Sequence, residues 1–104
     1  MAISPTTGGP ITLSRAQVYL NAFKSKYPLE KKASFMGVDN IRLIINQPNC
    51  IGIRVYNGYD DVEKNMVLVM VGVDSNERDM TNGYIMNRMA SCPADCDIAS
   101  SLMV

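Results

Sequence analysis

The sequence contains no histidine, so the usual general base at neutral pH is missing. Ser-His-Asp and Cys-His nucleophilic arrangements are excluded for the same reason. A phosphate-binding glycine loop is also missing, because Gly8-Gly9 precedes Pro10 and no Lys-Ser or Lys-Thr pair follows. We therefore expect a protein that is not an enzyme and that needs no cofactor.

Long hydrophobic runs are missing as well. The longest, Met66 to Val73, has eight residues, whereas a membrane-spanning helix needs about 20. The segment from Met1 to Pro10 has neither the basic region nor the apolar stretch of a secretory signal. These features predict a cytoplasmic protein without a membrane partner.

Cysteine is scarce and odd in number, at Cys50, Cys92 and Cys96. Three thiols leave a tetrahedral zinc site one ligand short, so Asp95, Asp97 or another subunit would have to complete it. An odd count also suits a disulfide framework poorly. We predict reduced, metal-free thiols, with two alternatives left open: ligation of a metal or persulfide, and a disulfide involving Cys92 or Cys96.

The 104 residues, 47% hydrophobic and 19% charged, are typical of one globular domain spanning residues 1–104. Its ends are predicted to be an irregular N-terminal arm, 1–11, and an irregular C-terminal tail, 90–104. The net charge is zero, but 1–32 holds five basic residues and one acidic, and 58–104 holds three basic and eight acidic. The basic residues lack clustered aromatics, so we expect no nucleic-acid binding; they form a solvated helix face or complement the acidic end of another copy.

Two helices are predicted before residue 50. Ser14 followed by Gln17 is a capping-box pattern, which begins a helix at about 15–26. Its apolar stripe consists of Ala16, Tyr19, Leu20, Phe23 and Tyr27. Asp39 is a candidate cap for a second helix at 39–47, although this segment also suits a strand. The stretch 29–37 is ambiguous, with some preference for a helical turn.

From Cys50 the apolar pattern alternates with a period of two, which predicts a hairpin over about 50–73. The loop is placed at Asp60 to Lys64, with Gly58 at a bulge. Residues 84–89 are either a third strand or a helical turn. The predicted fold class is α+β, with two N-terminal helices packed on a small antiparallel sheet.

The strand around Met66 to Val73 is apolar on both faces, which is typical of a strand covered on both sides. Two helices can cover one face, so the other, carrying Met66, Leu68 and Met70, is predicted to contact another copy. The alternative is that residues 84–89 and the tail cover it within one chain. The expected function is a non-catalytic structural or self-associating protein that forms a homo-oligomer. A thiol-based metal-binding or sensor module using Cys50, Cys92 and Cys96 is the alternative.

The chain also resembles a group of small uncharacterised proteins from Bacteroidota over about residues 35–96. The resemblance is carried by Cys50-Ile-Gly-Ile-Arg-Val-Tyr56, Val71-Gly-Val-Asp74, Asp79-Met80 and the Cys92-Pro…Cys96 tail. No activity is assigned to that group. The resemblance therefore implies a recurring small intracellular domain but no mechanism and no functional residues.

Overall fold

The computed structural model describes residues 2–104, and it is an α+β structure with two helices and two antiparallel sheets. The elements in chain order are α1 (Leu13–Lys26), β1 (Ala33–Phe35), α2 (Val38–Ile45), β2 (Cys50–Asp60), β3 (Asn65–Asp74), β4 (Ile85–Met86) and β5 (Ala90–Cys92). One sheet has the order β2-β3-β4, and the other pairs β1 with β5. None of the helices in residues 2–104 has the length and apolar character required to cross a membrane.

Helix α1 begins two residues before the predicted start, because Thr12 rather than Ser14 is its N-cap. The Thr12 hydroxyl accepts a hydrogen bond from the backbone N–H of Arg15 at 3.2 Å. An oxygen at this position satisfies one of the free donors of the first turn. Lys24 and Lys26 lie in the last turn, where positive charge stabilises the helix dipole.

The segment predicted as a helix at 39–47, or alternatively as a strand, forms helix α2. The helix ends before Pro48, because proline disfavours a helical conformation at Gln47. Its N-cap is Gly37, so the prediction that Asp39 is the cap was wrong. Asp39 instead lies in the first turn and forms an exposed ion pair with Arg42 at 3.7 Å. Such an exposed pair contributes little to stability.

The predicted hairpin is confirmed, with β2 and β3 joined by a four-residue loop at 61–64. Asp60 shapes this loop, because its carboxylate accepts hydrogen bonds from the N–H groups of Val62 and Glu63 at 2.9 and 3.1 Å. The register is regular from Gly52↔Val73 to Asp60↔Asn65. The irregularity falls between Cys50 and Gly52, so the prediction of a bulge at Gly58 was wrong.

The C-terminal half holds a strand that sequence reasoning missed. Residues 90–92 of the predicted irregular tail form β5, which pairs with β1 through Ser34↔Ser91. β1 lies in the stretch for which a helical turn was favoured, and that preference was also wrong. Residues 84–89 contain the short strand β4, which resolves the earlier ambiguity. The described part of the N-terminal arm, 2–11, contains no helix or strand, and residue 1 lies outside the described residues.

The two helices have different roles in packing. α2 contacts β2 and β3 and contributes Ile44, the only apolar side chain that is fully buried within residues 2–104. No residue of α1 is buried. α1 contacts the C-terminal tail instead, where the Gln17 side chain donates a hydrogen bond to the Ser101 carbonyl at 2.8 Å. α2 therefore packs on the sheet as expected, whereas α1 contacts the tail and its Phe23 faces β3 across a gap.

Candidate association surface

The hairpin of β2 and β3 has two faces, because residues opposite each other in the register point to the same side. The α2 face carries Ile53, Val55, Asn57 and Tyr59 of β2, and Met66, Leu68, Met70 and Gly72 of β3. The opposite face carries Gly52, Arg54, Tyr56 and Gly58, and Val67, Val69, Val71 and Val73. Met66, Leu68 and Met70, the three residues predicted to contact another copy, therefore share the face on which α2 lies. The prediction that the helices cover the other face was wrong for α2.

The end of the α2 face nearest Gly72 is covered by the chain itself. A Cβ atom at Gly72 would lie 2.9 Å from Gln47 Nε2, 3.2 Å from Cys50 Sγ and 3.2 Å from Met80 Sδ. Gln47 holds this layer together: its Nε2 donates to the Ile44 carbonyl at 2.9 Å, and its Oε1 accepts from the Tyr84 N–H at 3.2 Å. A side chain at position 72 would force these groups to shift, so glycine suits this close approach of the segment after α2 to the sheet.

The other end of the α2 face is exposed. Met66 is 44% exposed, Tyr59 opposite it is 56% exposed, and Val55, which lies opposite Met70, is 48% exposed. Leu68 and Met70 are half-buried. This half-face borders a gap of about 200 Å³, whose other wall includes Phe23 of α1 and residues 30–34.

Neither segment named in the alternative prediction seals this half-face. β4 lies beside β3 and extends the sheet, and Asn87 donates a hydrogen bond to the Leu68 carbonyl at 2.6 Å. The tail packs on α1 and β1, where it forms one wall of a cleft. The apolar surface around Met66 thus stays accessible.

On the opposite face, Arg54, Tyr56 and Asp79 form a polar cluster. One Asp79 oxygen accepts a hydrogen bond from Arg54 Nη1 at 2.6 Å, and the other accepts from the Tyr56 hydroxyl. The hydrogen bond from Tyr56 and then that from Arg54 lower the pKa of Asp79, although burial acts in the other direction. The bond to Asp79 raises the pKa of Tyr56 and that of Arg54. The cluster fixes Arg54 within its own chain.

A second apolar site, which sequence reasoning missed, is a cleft of about 330 Å³ between α1, β1 and the tail. Its walls include Leu20 and Phe23 of α1 and Leu102 and Met103 of the tail. Lys24, Lys32, Asp95 and Asp97 also line it, so part of the basic N-terminal third meets the acidic tail within one chain. The sequence signal for this cleft was the apolar segment Leu102-Met103-Val104, whose side chains pack against other apolar groups.

The cysteines do not form one cluster. Cys92 and Cys96 are joined by a disulfide, with their Cα atoms 4.8 Å apart, because the turn after β5 brings them together. The prediction of three reduced thiols is therefore wrong for this pair, and the alternative of a disulfide applies. Cys50 is a half-buried free thiol beside Gly72. Within residues 2–104 no group of three or more cysteine and carboxylate side chains is arranged to hold a metal ion.

The whole chain exposes more surface than a compact protein of its size. Its accessible area is 7969 Å², whereas a compact monomer of 11.5 kDa exposes about 5,800 Å². The radius of gyration is 15.4 Å, against roughly 13 Å for a compact domain of this length. Only four apolar residues among 2–104 are buried: Ile44, Val71, Val73 and Cys92.

No known protein family, curated protein or solved structure matches this chain. The fold and the exposed apolar surface are therefore the basis for any functional assignment.

Proposed function

We propose that this chain is a non-catalytic, self-associating structural protein whose partner is a second copy of itself. The observation that carries the proposal is the excess of accessible surface, about 2,200 Å² over a compact monomer. Obligate homodimers bury about 1,000 to 2,500 Å² on each subunit. The excess is similar in size to the area that one subunit of an obligate homodimer buries.

The α2 face supplies the centre of the proposed contact, through Met66, Leu68 and Met70. Val55 and Tyr59 extend it on β2, and both are about half exposed. Full burial of a side chain of this size stabilises a protein by about 1.5 to 3 kcal/mol. A domain stabilised by only about 5 to 15 kcal/mol gains substantially from covering several of them.

The polar groups of the chain fit this reading better than they fit catalysis. Within residues 2–104, one cluster has members with shifted pKa values: Arg54, Tyr56 and Asp79, which satisfy one another's charges and hydrogen bonds. Its Asp79 pKa is lowered, which keeps the carboxylate ionised and bound to Arg54 rather than free to act as a base near neutral pH. We assign it a structural role.

The test replaces Met66 with Asp, because this side chain is 44% exposed and can change without disrupting the core. We expect a folded protein that sediments as smaller species, because a charge placed in an apolar interface is costly to desolvate. Val62→Asp is the matched control: Val62 is 86% exposed at the hairpin tip, so this variant retains the wild-type assembly. Equal assembly of both variants, measured by sedimentation velocity, would contradict the proposed surface.

A further inference from the structure

The outer edge of β2 presents a row of backbone hydrogen-bonding groups. In the sheet order β2-β3-β4, β2 has a neighbour on one side only. The Leu68 carbonyl accepts from Asn87, and the Gly72 carbonyl accepts from the Met80 N–H. The backbone groups of these β3 residues therefore point away from β2.

The direction of the β2 groups follows from the register. Leu68 lies opposite Asn57, and Gly72 lies opposite Ile53. In an antiparallel pair, two opposed residues either exchange both hydrogen bonds or both point outward. Asn57 and Ile53 therefore point their N–H and C=O groups to the free edge, as do Val55 and Tyr59 at the same phase of the strand.

These edge groups have no partner within residues 2–104. Neither the backbone nor the side chains there form a hydrogen bond to the N–H or C=O of Ile53, Val55, Asn57 or Tyr59. Two residue types that often protect an edge strand, proline and lysine, are missing from β2. Its one basic residue, Arg54, is held on the opposite face by Asp79.

We propose, on the basis of the self-association inferred above, that a second copy pairs with this edge, β2 against β2. The pairing is antiparallel about a two-fold axis at Tyr56 and produces a six-stranded sheet in the order β4-β3-β2-β2-β3-β4. The axis follows from the length of the regular segment. Pairing with β3 becomes regular at Gly52 and ends at Asp60, and Tyr56 is the midpoint of that segment.

This register is chemically complementary. Val55 of one copy lies opposite Asn57 of the other, and Ile53 lies opposite Tyr59, so the four outward residues form hydrogen-bonded pairs with about eight bonds in total. Arg54 lies opposite Gly58, where no side chain obstructs it. The two Tyr56 rings are directly opposed, which is a favourable cross-strand pair. Edge pairing uses backbone groups and leaves the Met66 surface of both copies on one side of the sheet, so the two contacts are separable.

Asn57→Pro tests the edge, since proline removes one outward N–H and is tolerated in an edge strand when that group faces outward. We expect a folded protein, by circular dichroism, whose dissociation constant rises at least tenfold in sedimentation equilibrium. Asn57→Thr is the matched control, because it keeps the N–H and suits a strand, and it retains wild-type affinity. If both variants associate as tightly as the wild type, edge pairing is wrong and self-association stands. A monomeric wild type, whether its edge is free or paired by an unrelated strand, overturns both.

A crosslink keeps the proposal testable if the proline variant does not fold. In a Cys50→Ser background, Tyr56→Cys places two thiols opposite each other at the axis, where the Cα atoms of a non-hydrogen-bonded pair lie about 4.5 Å apart. We expect a disulfide-linked dimer on mild oxidation, separated by non-reducing electrophoresis. Val62→Cys in the same background is the control and stays monomeric on the gel, because the hairpin tips lie at opposite ends of the paired strands. An oligomeric Tyr56→Cys protein that does not crosslink, or crosslinks no better than Val62→Cys, would refute the register.

Discussion

Gly72→Ala tests how the layer formed by α2 and the segment after it is packed on the sheet. The added Cβ would lie 2.9 Å from Gln47 Nε2 and 3.2 Å from the sulfur atoms of Cys50 and Met80. The Gln47 amide would have to shift, which weakens its bonds to the Ile44 carbonyl and the Tyr84 N–H. Overpacking of this kind costs about 1 to 3 kcal/mol, so we expect a loss in that range.

The assay is urea denaturation of Gly72→Ala beside Gly52→Ala, a matched glycine of β2 whose added Cβ would meet nothing within 4 Å. We expect the free energy of unfolding to fall only for Gly72→Ala, with an unchanged m-value. In a Gln47→Ala background the cost of Gly72→Ala becomes smaller, because the obstructing amide is gone. Equal stability of the two glycine variants, or a cost that Gln47→Ala does not reduce, would refute the packing described here.

Two further predictions concern pH and the disulfide. Because the pKa of Asp79 is lowered and that of Tyr56 is raised, their contribution to stability is present between about pH 4 and pH 10. This contribution is lost when the pH falls through the folded pKa of Asp79 or rises through the folded pKa of Tyr56. Asp79→Asn removes the part that is lost in acid. If the free energy of unfolding, measured by chemical denaturation, depends on acidic pH in the same way in Asp79→Asn as in the wild type, this prediction is contradicted. The purified protein, before any reduction, is expected to have an intact mass two hydrogens below that of the reduced chain. Cys96→Ser lowers the free energy of unfolding by about 2 kcal/mol, because the bond no longer closes its short loop. A full-mass protein that alkylates at all three cysteines before reduction would contradict the disulfide.

The parts of the fold that depend on local periodicity could be predicted from the sequence. The alternation after Cys50 and the polar run after Asp60 predicted the hairpin, because alternation with a period of two is typical of a strand. The stripe of α1 predicted a helix correctly. It could not show which surface the stripe contacts, because Leu20 and Phe23 meet a tail about 80 residues later in the chain.

Long-range contacts account for the remaining errors. The pairing of Ser34 with Ser91 joins two short segments without a pattern of their own, so neither strand could be recognised locally. Alternation correctly placed Met66, Leu68 and Met70 on one face, but it could not show that α2 lies on that same face. The exposure of Val55 and Tyr59 depends on the register and on how far α2 reaches along the sheet, which no local pattern encodes.

The molar mass of the purified wild-type protein at micromolar concentration, measured by light scattering after size-exclusion chromatography, tests self-association most directly. The single chain has a mass of 11.5 kDa, and we expect at least twice that value. A mass of one chain across the micromolar range would contradict the proposal, because the excess surface would then remain in water.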